Sequence, residues 1–110
     1  MSVVIANAFS LNMLSLDVGI TNIQICPTSP DVIRQEVEEA GGFTSIVGHP
    51  DTATVFSRLL ELDVPCNRAT LMLEEDTILF VGQYKGPRLP EGATSLPEGA
   101  RVEWAMVIIA

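Results

Sequence analysis

Apolar residues along this chain come in short runs broken by polar residues, glycine and proline, and the spacing within each run predicts an element. Val3 to Ala6 is a continuous apolar stretch that predicts a buried strand, followed by a mixed segment, Asn7-Ala8-Phe9-Ser10-Leu11-Asn12, at its end. Val18, Ile20, Ile23 and Ile25 alternate imperfectly between positions 17 and 25 and predict a second strand with a bulge near Thr21-Asn22. Ser29-Pro30-Asp31 has the cap, first-turn proline and early acid of a helix start; Val32, Ile33, Val37 and Ala40 fit helical spacing, and Gly41-Gly42 ends the run. A second helix is expected from Pro50, with Ala53, Phe56, Leu59 and Leu60 on one face and Asp51 in the first turn, where the helix dipole favours an acid. Between Ala69 and Tyr84 the pattern predicts a β-hairpin: Leu71 and Leu73 alternate with Thr70 and Met72, Glu74 to Thr77 turn, and Ile78 to Val81 return. Prolines and glycines between 85 and 100 forbid a strand and predict a long ordered loop, within which Leu-Pro-Glu-Gly-Ala occurs at 89 to 93 and again at 96 to 100. Val102, Trp104, Met106 and Ile108 mark a last strand from Arg101 to Ile109. Strands interleaved with two helices predict one domain over residues 1–110 with a mixed β-sheet flanked by helices, an α/β fold.

Composition adds limits to that pattern. With 110 residues, 47% of them hydrophobic, the chain can build a core without disulfides or metal. No apolar run approaches the roughly 20 residues that span a bilayer, and no basic segment precedes an apolar one at Met1, so no membrane partner is expected and the expected location is the cytoplasm, that of the host if the gene is viral. Cys26 and Cys66 stand far apart without a histidine near either, which predicts reduced thiols and no metal site. A net charge of −8 argues against long nucleic acid as a partner, since sequence-independent binding is driven by lysine and arginine contacts to phosphate. Half of the six basic residues, however, Arg68, Lys85 and Arg88, lie between 68 and 88, so a small anion could meet a local positive pocket.

Candidate chemistry centres on the single histidine, His49, in Gly48-His49-Pro50-Asp51, where an apolar run stops and a helix is expected to begin. Histidine is the side chain that ordinarily titrates near cellular pH, and no second one shares the task. A helix cap is its ordinary alternative use. Asn7, Ser10 and Asn12 follow the first strand, Asn67-Arg68 precede the expected hairpin, and Gln83, Arg88 and Glu91 follow it; loops at strand ends are where sites collect. Each also has a plain role, as turn former or solvated charge. Metal triads, a glycine-rich phosphate loop and a G-x-S-x-G elbow are missing from the sequence. What remains is one imidazole, two arginines, a glutamate and neutral hydrogen-bond donors, a set suited to gripping phosphate and moving one proton. Cleavage of a phosphodiester by the 2′-hydroxyl of RNA requires little more, and no cofactor.

Four blocks carry a resemblance: Ile5-Ala6-Asn7-Ala8-Phe9-Ser10-Leu11-Asn12-Met13-Leu14, Gly48-His49 with Thr52-Ala53, Asn67-Arg68, and Arg88-Leu89-Pro90-Glu91-Gly92-Ala93. In order and approximate spacing they resemble the viral anti-CRISPR ring nucleases of type III CRISPR systems and related copies in cellular genomes, over most of the chain apart from 15 to 47. The resemblance implies an enzyme, a metal-independent phosphodiesterase that degrades the cyclic tetra-adenylate second messenger as a homodimer around one ring. Carried over by position, it makes His49 the general acid, Glu91 the residue that supports or positions it, and Arg68 and Arg88 the phosphate-binding pair. Asn7, Ser10, Asn12 and Gln83 match positions lining the ligand pocket. Two features depart from the pattern: the stretch 85 to 100 is proline-rich where some members carry a helix, and the chain is acidic for a protein that holds four phosphates. A rival reading keeps the pocket and drops the turnover, leaving a nucleotide sponge or a viral interaction protein. His49 and Glu91 favour the enzyme, because neutral hydrogen-bonding residues would serve a sponge equally well.

Overall fold

The computed structural model describes residues 2–17 and 19–110. Capping signals place both helices as the sequence predicts. Ser29 Oγ accepts from Val32 N–H and Pro30 opens α1 (Pro30–Ala40), which stops where Gly41 turns left-handed. Helix α2 (Pro50–Leu60) likewise opens on a proline, with Asp51 in its first turn and Arg58 in its last, both on the sides the dipole favours. The strands are β1 (Ser2–Ala6), β2 (Ile23–Pro27), β3 (Thr44–Ser45), β4 (Thr77–Lys85) and β5 (Arg101–Ile109). They form one mixed sheet in the order β2-β5-β4-β1-β3: β3 and β4 run parallel to β1, whereas β5 is antiparallel to both β4 and β2.

Strand alternation divides the core into two layers. On one face Val3 and Ile5 of β1, Phe80 of β4 and Trp104 of β5 pack with Ile33 and Val37 of α1 and Ala53, Phe56 and Leu60 of α2. On the other, Val4, Ala6, Leu79, Val81 and Val107 meet no helix of that length; Met13 and Leu14 beside a 3₁₀ turn (Leu11–Met13) and Leu73 cover them. The expectation of a mixed sheet with helices packed on it holds, as one compact α/β domain.

Three sequence expectations are corrected. The second strand starts at Ile23, not Asp17, and runs in unbroken register from Ile23 opposite Ile109 to Pro27 opposite Ala105, without the bulge at Thr21-Asn22. Asn22 still accepts from Ala110 N–H at 2.8 Å, but Gly19 has φ +84° and Ile20 is 92% exposed, so the chain has left the sheet by Ile20; Val18 lies outside the described residues. The hairpin of 69 to 84 does not form. Its returning half is real, as β4, but both edges of β4 are taken, by β1 and by β5, so residues 69–76 have no edge to pair with. They cross the helix-free face instead, and Leu73 N–H donates to the Met13 carbonyl at 2.7 Å. Lastly, Lys85 belongs to β4, so the long loop begins at Gly86, and the two-residue strand β3 is too short to have left a pattern.

Gly82 of β4 is needed where it stands. A Cβ there would lie 2.5 Å from both Phe56 Cζ and Trp104 Cζ3, rings that already pack with centroids 4.8 Å apart. Gly82→Ala is expected to cost about 1–3 kcal/mol through overpacking, lowering the melting temperature by roughly 5–15 °C. Trp104 is the only tryptophan, so a thermal melt followed by its fluorescence reads the effect directly; a melting temperature equal to the parent's would show that the two rings can separate without loss.

Candidate functional site

Strands β1, β3 and β4 are parallel, so their carboxyl ends meet at one edge of the sheet, the place where open α/β sheets collect ligands. Asn7 follows β1, the segment Ile46 to His49 follows β3, and the loop 86–100 follows β4. Gly48 joins the first two of these to Arg68. Its N–H donates to Asn7 Oδ1 at 3.4 Å and its carbonyl accepts from Arg68 Nε at 2.9 Å. Arg68 is presented there by a seam: Asn67 N–H donates to the Val47 carbonyl, Asn67 Nδ2 to the Ser45 carbonyl, and the buried Ser45 hydroxyl to the Pro65 carbonyl. Arg68 gives its Nε–H to Gly48, and on this exposed residue the two terminal nitrogens remain to grip a phosphate.

His49 is the N-cap of α2, and its Nδ1 accepts from Thr52 N–H at 3.5 Å. A neutral ring that accepts at Nδ1 carries its proton on Nε2, leaving that proton to donate elsewhere. The imidazole also lines a cleft of about 750 Å³, with Asp51 on its own helix and Arg88, Leu89, Pro90 and Glu91 on the long loop. Sequence reading placed His49, Arg88 and Glu91 at one site, and the fold does bring them to one cleft although 39 and more positions separate the histidine from the others.

The neutral candidates divide. Asn7 and Gln83 line a second, smaller cleft with Ala8, Phe9 and Val81. Gln83 reaches it because β4 continues past the end of β1, whose last residue, Ala6, is opposite Val81. Ser10 and Asn12 sit at the 3₁₀ turn, where Ser10 Oγ accepts from Asn12 N–H at 3.0 Å, the turn-forming role open to them from the start. None of these four residues, nor Arg68, is among the residues lining the His49 cleft. Lys85 is not available to an anion without competition: it pairs with Glu103 on β5, and its hydrogen bond and charge, ahead of the more distant Arg101, hold the Glu103 carboxyl below the usual glutamate range. Arg68 and Arg88, by contrast, have no carboxylate within ion-pair distance among the described residues.

Asp51 is the residue that sequence reasoning used only as a helix-start signal. Its carboxylate lines the cleft and Oδ2 accepts from Gly92 N–H at 3.1 Å, a contact 41 positions apart that no local pattern announces.

Fold and cleft define an α/β protein with a polar site at the carboxyl ends of parallel strands. A family model described as STIV B116-like matches residues 3–101, and the chain belongs to that family. Its fold is similar to that of B116 of Sulfolobus turreted icosahedral virus (STIV), with a TM-score of 0.77 over 98% of this chain and 99% of that one, at 23% sequence identity. No curated protein matches the chain. Among the described residues, no helix is long and apolar enough to cross a membrane.

Proposed function

We propose that the protein is a ring nuclease that cleaves cyclic tetra-adenylate without metal, working as a homodimer with one ring across its two-fold axis. The observation that carries this reading is the cleft that His49 lines together with Arg88 and Glu91, beside an exposed Arg68 held at the Gly48 carbonyl. A ribose 2′-hydroxyl attacks its adjacent phosphorus in line with O5′. The P–O2′ bond forms, the P–O5′ bond breaks, the 2′-hydroxyl proton passes to water, and His49 gives the proton on Nε2 to O5′. Glu91 supports the charged imidazole, and Arg68 and Arg88 hold the phosphoryl oxygens as charge develops. Asn7 and Gln83, which line the second cleft, are offered to ribose and base, while Ser10 and Asn12 stay with their 3₁₀ turn. Two such cuts at opposite phosphodiesters, one per subunit, yield two linear di-adenylates ending in 2′,3′-cyclic phosphate. In a cell or a virus-infected host this would silence defence nucleases that the messenger activates, in the cytoplasm where the messenger is made.

A two-fold assembly also answers the acidity of the chain. One cleft contains two carboxylates, Asp51 and Glu91, against one arginine, so a ring of four phosphates requires the arginines of both copies. The non-catalytic alternative, a sponge that sequesters the ring, draws on the capping role of His49, which requires no chemistry. Incubation of the purified protein with cyclic tri-, tetra- and hexa-adenylate in EDTA, followed by product chromatography, separates the two. Linear di-adenylate from the four-membered ring is expected. Intact ring after prolonged incubation with excess protein, with and without divalent metal, would leave the sponge.

A further inference from the structure

The repeated Leu-Pro-Glu-Gly-Ala is one turn built twice. Ala93 N–H donates to the Pro90 carbonyl at 3.1 Å and Ala100 N–H to the Pro97 carbonyl at 3.0 Å, while Gly92 and Gly99 in the third position have φ +78° and +80°. That left-handed value is what a type II turn requires there, and what glycine supplies without strain. The two turns thus offer the same backbone and the same glutamate, Glu91 in one and Glu98 in the other. Only Glu91 lines the His49 cleft. The second turn lies at the base of the loop, where Ala100 approaches Gly86 so closely that a Cβ on the glycine would come within 2.7 Å of Ala100 Cα.

What distinguishes the first turn is its partner. Gly92 N–H points at Asp51 Oδ2, and Asp51 stands two residues after His49 on the first turn of α2. We infer that Asp51 is a positioning residue: its carboxylate seats the first turn on α2 and so sets Glu91 and Arg88 against His49. The inference rests on the reading of this cleft as the phosphodiester-cleaving site. A carboxylate is a stronger acceptor than a neutral oxygen, and this bond ties the first turn directly to α2.

Two substitutions isolate the tether. Asp51→Asn keeps an oxygen that can accept from Gly92 N–H, whereas Asp51→Ala removes it; both remove the same negative charge from the start of α2, so a role limited to the helix dipole would make them equal. Hydrogen exchange at the Gly92 amide of the full chain, without ring, is expected to accelerate at least tenfold in Asp51→Ala and less than threefold in Asp51→Asn. Single-turnover cleavage of saturating cyclic tetra-adenylate is expected to fall at least tenfold in the alanine variant and to be largely restored by asparagine, while Glu98→Ala cleaves like the parent. Equal exchange in the two Asp51 variants, or a Gly92 amide already unprotected in the parent, overturns the tether. Exchange that separates the variants while their cleavage rates coincide overturns the positioning role. A parent protein that leaves the ring intact defeats the enzyme reading, and the Gly92 amide still decides whether Asp51 holds the turn.

Discussion

His49→Asn is expected to keep the fold and lose roughly a hundredfold or more in single-turnover cleavage of cyclic tetra-adenylate, the usual contribution of a positioned general acid. Asparagine is chosen because His49 serves as the N-cap of α2, and asparagine is among the best residues at that position. His49→Ala removes both functions, and its loss of a cap is expected to cost about 0.5–1 kcal/mol of stability, at the low end because the Nδ1 contact to Thr52 N–H is long at 3.5 Å. The two roles also use different states of the ring. Capping requires an unprotonated Nδ1, whereas the imidazolium carries a proton there and releases Thr52 N–H as it becomes competent to donate from Nε2. Ring affinity should change little in either variant. An asparagine variant that cleaves at near the parent rate would leave His49 as a cap alone.

The second large effect is expected at the two arginines. Arg68→Ala and Arg88→Ala should each weaken ring binding by roughly ten- to a hundredfold, because a charged hydrogen bond to phosphate is worth about 1.5–3 kcal/mol in the ground state as well as the transition state. The residues belong to separate elements, Arg68 hung on the Gly48 carbonyl and Arg88 carried by the loop, so their losses should add in the double variant unless the ring itself couples them. Calorimetry gives both constants directly. The fold should tolerate the changes: both side chains are exposed, and Arg68 contributes one hydrogen bond to the backbone. Binding as tight as the parent's in both single variants would mean that these arginines face solvent and that the ring sits elsewhere.

The contrast between these residues and Lys85 shows how context decides which cation counts. All three fall within 21 positions of the sequence, and pairing with Glu103 on β5 takes Lys85 out of contention. A charge pattern read in one dimension cannot make that distinction, since Glu103 is 18 positions away.

By itself the sequence determined what is local. Serine, proline and acid at 29 to 31 and glycines at 41 and 42 bound α1, because a helix end is settled by the few residues that satisfy its unpaired N–H and carbonyl groups. Continuous apolar runs likewise marked β1 and the returning strand β4, alternation marked β5, and Gly-His-Pro-Asp marked the start of α2 together with the residue that caps it. The candidate histidine, arginines and glutamate were legible as types, because few side chains can move a proton or hold a phosphate. Tertiary structure decided everything that depends on a partner distant in the chain. Alternation at 69 to 73 reports which side chains are buried and not whether an edge is free, and β1 and β5 had already occupied both edges of β4. The same holds for the site. Gly48 joins Asn7 to Arg68, and Asp51 seats Gly92, through hydrogen bonds that exist only once three parallel strands have brought their carboxyl ends together. Two identical pentapeptides carry identical local instructions, so only the packing of one of them on α2 could make Glu91, and not Glu98, part of the cleft.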